Sequence, residues 1–104
     1  MIELKRIIEY FEKDLVFTTL HAAERLKERG IKMKEIREAV KNGEIIEQYP
    51  EDFPYPSCLI LGVTIQEKYL HIVLSDDGEK SQLITAYIPS KEKWNDDLRT
   101  RREK

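Results

Sequence analysis

Apolar residues recur at helical spacing from Ile2 to Val40, and the pattern stops at Asn42-Gly43. From Glu44 to Ile88 they come instead in short runs of strand length. A helical period does not settle as a strand, so this switch divides the chain into a helical part and a sheet part. The first helix is read from Ile2, Leu4, Ile7, Ile8 and Phe11, fading at Lys13-Asp14. Leu15-Val16-Phe17 reads as an apolar link. A second helix opens at Thr18 or Thr19, either of which can cap it, and stops at Gly30. A third covers about 33–42, with Met33, Ile36, Ala39 and Val40 inward. Four strands follow, over Glu44–Tyr49, Cys58–Ile65, Tyr69–Ser75 and Leu83–Ile88, with Asp77-Gly78 as a hairpin turn.

The run CLILGVTI is apolar almost throughout, as expected of a central strand covered on both faces. In YLHIVLS, Leu70, Ile72 and Leu74 share one face, and Tyr69, His71 and Val73 the other. After Pro89, Ser90 can cap a last short helix in which Trp94 and Leu98 pack four residues apart. The expected architecture is α+β. N-terminal helices cover one face of a four-stranded antiparallel sheet, with a short C-terminal helix. One domain of 104 residues divides into helix and link (1–17), helix pair (18–43), sheet (44–88) and basic tail (89–104).

Charge is unevenly spread. The chain carries a net −2, yet residues 20–42 carry a net +3, residues 44–56 a net −4 and residues 97–104 a net +2. A local basic face can hold a phosphate chain even on an acidic protein. The same charges also serve simply to keep a small domain in solution. No apolar run reaches the roughly 20 residues of a membrane span, and no segment has the form of a signal peptide. Cys58 is the lone cysteine, so the expected location is cytoplasmic. Abundant Glu and Lys beside sparse Asn and Gln point to a thermophilic source.

The stretch TLHAAERLKERGI carries the chemistry of most interest. On a helical wheel Ala22, Ala23 and Leu26 form the inward stripe, with His21 and Arg25 beside it and Arg29 near its edge. Residues 21 and 25 are neighbours one turn apart, about 6 Å between Cβ atoms. The positive end of the helix and Arg25 both disfavour a protonated imidazole. A neutral histidine can take a proton and an arginine can hold a phosphate, which suits RNA cleavage through the 2′-hydroxyl. The alternative is structural: His21 bonds a carbonyl, and Arg25 pairs with Glu24, Glu28 or Glu47.

Secondary candidates are His71 in mid-strand and Tyr87 at a strand end. Arg99, Arg101 and Arg102 form a tail that either folds back to grip RNA, with Trp94 as anchor, or frays. The loop YPEDFPYPSC reads either as a stiff aromatic rim, with Tyr55 stacking a base, or as a stapled loop packed on the sheet. Two histidines and one cysteine far apart give no metal-ligand spacing, no Gly-rich phosphate loop is present, and no cofactor is expected. Cys58 reads as inert core.

The strings FTTLHAAERLKERGI, GEIIEQYPEDFPYPSCLILG, LHIVLS, ITAYIP and KWNDDLRTRR resemble the domain-of-unknown-function 4258 family from about Phe17 to Arg102. Its H-A-x-x-R-x-x-x-R-G pattern falls on His21, Ala22, Arg25, Arg29 and Gly30. The resemblance implies the barnase/colicin/RelE-type fold shared by RelE-like and BrnT-like ribonuclease toxins. It also implies a small antitoxin-like partner with a zinc finger. The expected function is thus a metal-independent endoribonuclease of a toxin–antitoxin system. A non-catalytic RNA- or protein-binding module on the same fold is the alternative.

Overall fold

The computed structural model describes residues 1–103. Lys104, the last cation of the expected basic tail, lies outside the described residues. Helix α1 spans Leu4–Glu12 and buries Ile7 and Tyr10. The chain reverses at Asp14, whose φ is +57°. It then enters β1, Val16–Thr18. Helix α2, Leu20–Glu28, starts where the Thr19 side chain accepts from the Ala22 N–H at 3.1 Å. Gly30 ends it at φ +67°, and the Ile31 N–H closes the turn onto the Leu26 carbonyl. Helix α3, Met33–Lys41, opens with the Lys32 N–H donating to the Glu35 carboxylate at 2.9 Å. Strands β2 (Glu44–Tyr49), β3 (Ser57–Val63), β4 (Tyr69–Ser75) and β5 (Ser81–Tyr87) follow.

The sheet order is β1-β5-β4-β3-β2. The expectation of a four-stranded antiparallel sheet is therefore corrected to five strands in a mixed sheet. Strands β2 to β5 form the antiparallel meander, while β1 runs parallel to β5, with Val16 opposite Ser81 and Thr18 opposite Leu83. Leu15-Val16-Phe17 looked like a link because three residues show no alternation. What makes β1 a strand is the partner it meets some 65 positions later.

The helices lie on one face. Their inward residues Ile7, Leu26, Ile36, Ala39 and Val40 join Cys58, Ile60, Leu70, Ile72, Leu74 and Leu83 in a single core. Each fully buried Ile or Leu contributes about 1.5–3 kcal/mol. Ala22 and Leu26 are buried as the wheel required, but Ala23 is exposed. Helix α3 packs so closely on β3 that a Cβ built on Gly62 would overlap the Ala39 carbonyl.

The opposite face carries Leu59, Leu61 and His71, all buried. The C-terminal segment covers His71, with Trp94 only 2% exposed and its ring edge-on to the imidazole. That segment is not the expected short helix. It is a run of turns closed by an antiparallel bridge between Trp94 and Arg101. The reason is local: the Asp97 carboxylate accepts from the Arg99 and Thr100 N–H groups, and Leu98 takes φ +60°. Side-chain-to-backbone bonds of this kind compete with a helix and here defeat the Trp94–Leu98 spacing.

Gly62→Ala is expected to lower stability by about 2–3 kcal/mol, because the backbone of Ala39 has no room to yield. Urea denaturation compared with Gly78→Ala, whose added Cβ meets open space but whose φ of +96° is strained, separates crowding from backbone strain.

Candidate functional site

The first cluster is the α2 rim. Capping by Thr19 fixes the start of the helix and leaves His21 exposed in its first turn. Arg25 lies one turn on, half exposed and 3.5 Å from Glu28. A surface pair at this spacing contributes only a few tenths of a kcal/mol, so an arriving phosphate can compete for it. Arg29 does something different. Strand β1 ends at Thr18 opposite Leu83, so the rest of β5 lacks a neighbour on that side. The Arg29 guanidinium fills the gap, donating to Thr85 Oγ1 at 3.0 Å and to the Ala86 carbonyl at 2.8 Å. It is thereby held near Tyr87, whose titration it influences.

The second cluster lies on the face opposite the helices. His71 is fully buried. Its Nε2 is 2.6 Å from the Leu98 carbonyl, which can only accept, so Nε2 carries the proton. Nδ1 is left bare, 3.4 Å from the Tyr87 hydroxyl. The Trp94 ring stands edge-on to the imidazole, with centroids 4.5 Å apart and planes at 88°. Arg101 lies over the Trp94 ring and makes two bonds of 2.9 Å to Glu47. Tyr49 donates its hydroxyl proton to the same carboxylate.

Burial pushes the His71 pKa below its ordinary value, against the Leu98 carbonyl and Glu47, which favour the charged ring. Burial likewise raises the Tyr87 phenol, and burial with the Glu47 bond takes Tyr49 to about 12. For Glu47 burial acts upward, but the bonds from Arg101 and Tyr49 prevail and hold it below the usual carboxylate range. At neutral pH the cluster is a neutral imidazole, two intact phenols and one ion pair.

Of the five catalytic candidates, His71 and Tyr87 touch at the C-terminal end of β5, and Arg29 bonds the two residues that precede Tyr87. His21 and Arg25 remain on the helix surface. The three tail arginines face acids: Arg99 is 2.6 Å from Glu44, Arg101 pairs with Glu47, and Arg102 is 3.9 Å from Asp96. The tail folds back on Trp94, as one of the two sequence readings had it, and two acids of the 44–56 stretch neutralise it.

Tyr55 is half exposed beside Phe53, which is 92% exposed, so the loop is not packed flat on the sheet. The Pro56 carbonyl accepts from the Asp76 N–H, which ties the loop to the β4–β5 turn. That is the far end of β4 from His71, about 13 Å along the strand. Tyr55 therefore does not join the cluster. Cys58 is buried and its thiol is pushed up to about 12, which leaves it inert. Glu47 and Tyr49 were not among the site candidates, whereas Trp94 was read as the anchor of a folded-back tail. The one available signal was the Glu47-x-Tyr49 spacing, which puts both on one face of β2. A concavity of about 280 Å³ between α3 and the β3–β4 turn, lined by Gly30, Lys32, Glu35, Thr64 and Ile65, holds none of the candidates.

The depressed pKa of His71 sets a pH dependence. Above the unfolded-state value of about 6.5 the ring is neutral in both states; below it the unfolded chain binds a proton that the folded one refuses, so stability falls. Urea unfolding from about pH 7.5 to about pH 5.5 is expected to show this loss, and His71→Gln to flatten it. The Glu47 pair is lost at still lower pH, below the ordinary carboxylate value, so the two effects occupy separate windows.

Among the described residues no helix is long and apolar enough to cross a membrane. No curated protein and no solved structure gives a significant match to the chain. The family model described as Domain of unknown function (DUF4258) matches residues 18–88, from the last residue of β1 to the residue after β5. That span contains the α2 rim, His71 and Tyr87 and makes up most of the chain, which therefore belongs to the DUF4258 family.

Proposed function

We propose that this protein is a cytoplasmic, metal-independent endoribonuclease of the RelE-like toxin type, held in check by a small antitoxin-like protein. The observation that carries the reading is the position of Arg29. One guanidinium, fixed by two hydrogen bonds to β5, stands near a phenol on a rim that also bears His21 and Arg25. Support for the RelE-like assignment comes from the order β1-α2-α3 followed by an antiparallel meander.

In this mechanism His21 takes the proton of a 2′-hydroxyl, whose oxygen attacks the adjacent phosphorus. Arg25 and Arg29 hold the phosphoryl oxygens as charge builds on them. Tyr87, whose raised pKa keeps its proton, donates to the departing 5′-oxygen. The products are a 2′,3′-cyclic phosphate and a 5′-hydroxyl. His71 is a positioning residue: its bare Nδ1 can accept from the Tyr87 hydroxyl at 3.4 Å and so orient the phenol before its proton turns to the substrate.

A non-catalytic binding module is the second reading. It is favoured by the sealing of His71 and by the carboxylates already facing the tail arginines. Incubation with mixed RNA in EDTA separates the two. The enzyme reading expects cyclic-phosphate ends, lost by about 100-fold or more in His21→Ala and about 10-fold or more in Arg25→Ala and Tyr87→Phe, with folding unchanged. Binding without cleavage supports the module. Cleavage undiminished in both His21→Ala and Arg25→Ala rejects the site.

A further inference from the structure

Residues 90–103 form a unit wired to itself. The Lys93 and Trp94 N–H groups bond the Ser90 carbonyl, Asn95 bonds Thr100, Leu98 bonds Asn95, and Arg102 bonds Lys93. Among the described residues, none of the backbone hydrogen bonds outside helices and strands crosses from this hairpin to the sheet. It is fastened by side chains: the Trp94 ring on His71, the His71–Leu98 bond, and the ion pairs Arg99–Glu44 and Arg101–Glu47. Both arginines are more than half exposed, so their bonds are open to competition by solvent ions. Lifting the hairpin breaks no ladder of the sheet. It uncovers His71 and frees two guanidinium groups and an indole.

We propose that the C-terminal hairpin is a displaceable strap and a binding element for single-stranded RNA. Phosphates compete with Glu44 and Glu47 for Arg99 and Arg101, and the released strap exposes the His71–Tyr87 face. The carboxylates on β2 occupy, within the chain, the positions that RNA phosphates take when they bind. This inference rests on the RNA reading above and adds a second RNA contact beside that site.

Trp94 is the chain's only tryptophan, so its fluorescence reports the strap directly. The experiment titrates the full-length protein with an unstructured RNA oligonucleotide at low salt and follows acrylamide quenching of Trp94. Quenching is expected to rise and saturate with RNA. In the Glu44→Gln/Glu47→Gln variant the open fraction of the strap rises several-fold without RNA, and affinity for RNA rises by the same factor. In Arg99→Gln/Arg101→Gln the strap also opens, but RNA affinity falls several-fold. Pairs with only a structural role would make both variants behave alike, so the opposite responses are the signature. Glu44, Arg99 and Arg101 are at least half exposed and Glu47 is 23% exposed, so circular dichroism verifies the fold of each variant. Trp94 equally shielded with saturating RNA and in Glu44→Gln/Glu47→Gln overturns the strap. Cleavage of RNA by the wild type with Trp94 still shielded overturns the strap but leaves the nuclease reading intact. RNA neither bound nor cut by any variant overturns both. Displacement by inorganic polyphosphate as effective as by RNA overturns RNA as the ligand.

Discussion

Residues Ser57–Gly62 of β3 are buried on both sides of the sheet, and β4 is buried along most of its length. A strand with two apolar faces needs two covers, and the rest of the molecule follows from how they are supplied. On one side α3 comes close enough to exclude a side chain at Gly62. On the other no helix is left to use, and the hairpin of residues 90–103 closes over His71 through a single indole. A chain this short has little surplus core, so the second cover is thin and rests on one buried indole and a few polar contacts.

Those polar contacts account for the charge pattern. The acidic stretch 44–56 and the basic C-terminus are far apart in the chain and nearly cancel where Glu44 meets Arg99 and Glu47 meets Arg101. The α2 rim is not neutralised this way. Arg25 faces only the half-exposed Glu28 of its own helix, and Arg29 satisfies backbone and hydroxyl oxygens rather than a carboxylate. Its free charge makes the rim the more suitable place for an anion. The buried imidazole beneath the hairpin links the two regions, since its protonated nitrogen holds the strap while its bare nitrogen faces Tyr87.

Much of this was readable from local pattern. Thr19 as cap, Gly30 as terminator, the Leu70-Ile72-Leu74 face and the doubly buried CLILG run all depend on residues within a few positions of one another, where period and capping chemistry apply. The failures share a cause. Strand β1 is too short to show a period and exists through its pairing with β5. The Trp94–Leu98 spacing suggested a helix, but Asn95, Asp96 and Asp97 favour turns, and burial of the indole on His71 selected the turn form. The wheel put His21 at the core boundary, whereas only Ala22 and Leu26 of α2 are buried and His21 is exposed.

The amino-acid sequence by itself determined the helices, the meander, the apolar faces and the rim of His21, Arg25 and Arg29, because periodicity and capping act over one or two turns of chain. Only the tertiary structure decided that His71 is sealed, that Arg29 reaches β5 beside Tyr87, and that Glu47 holds Arg101. Those contacts join residues 27 to 57 positions apart, and their partners are chosen by which faces must be covered rather than by any local preference.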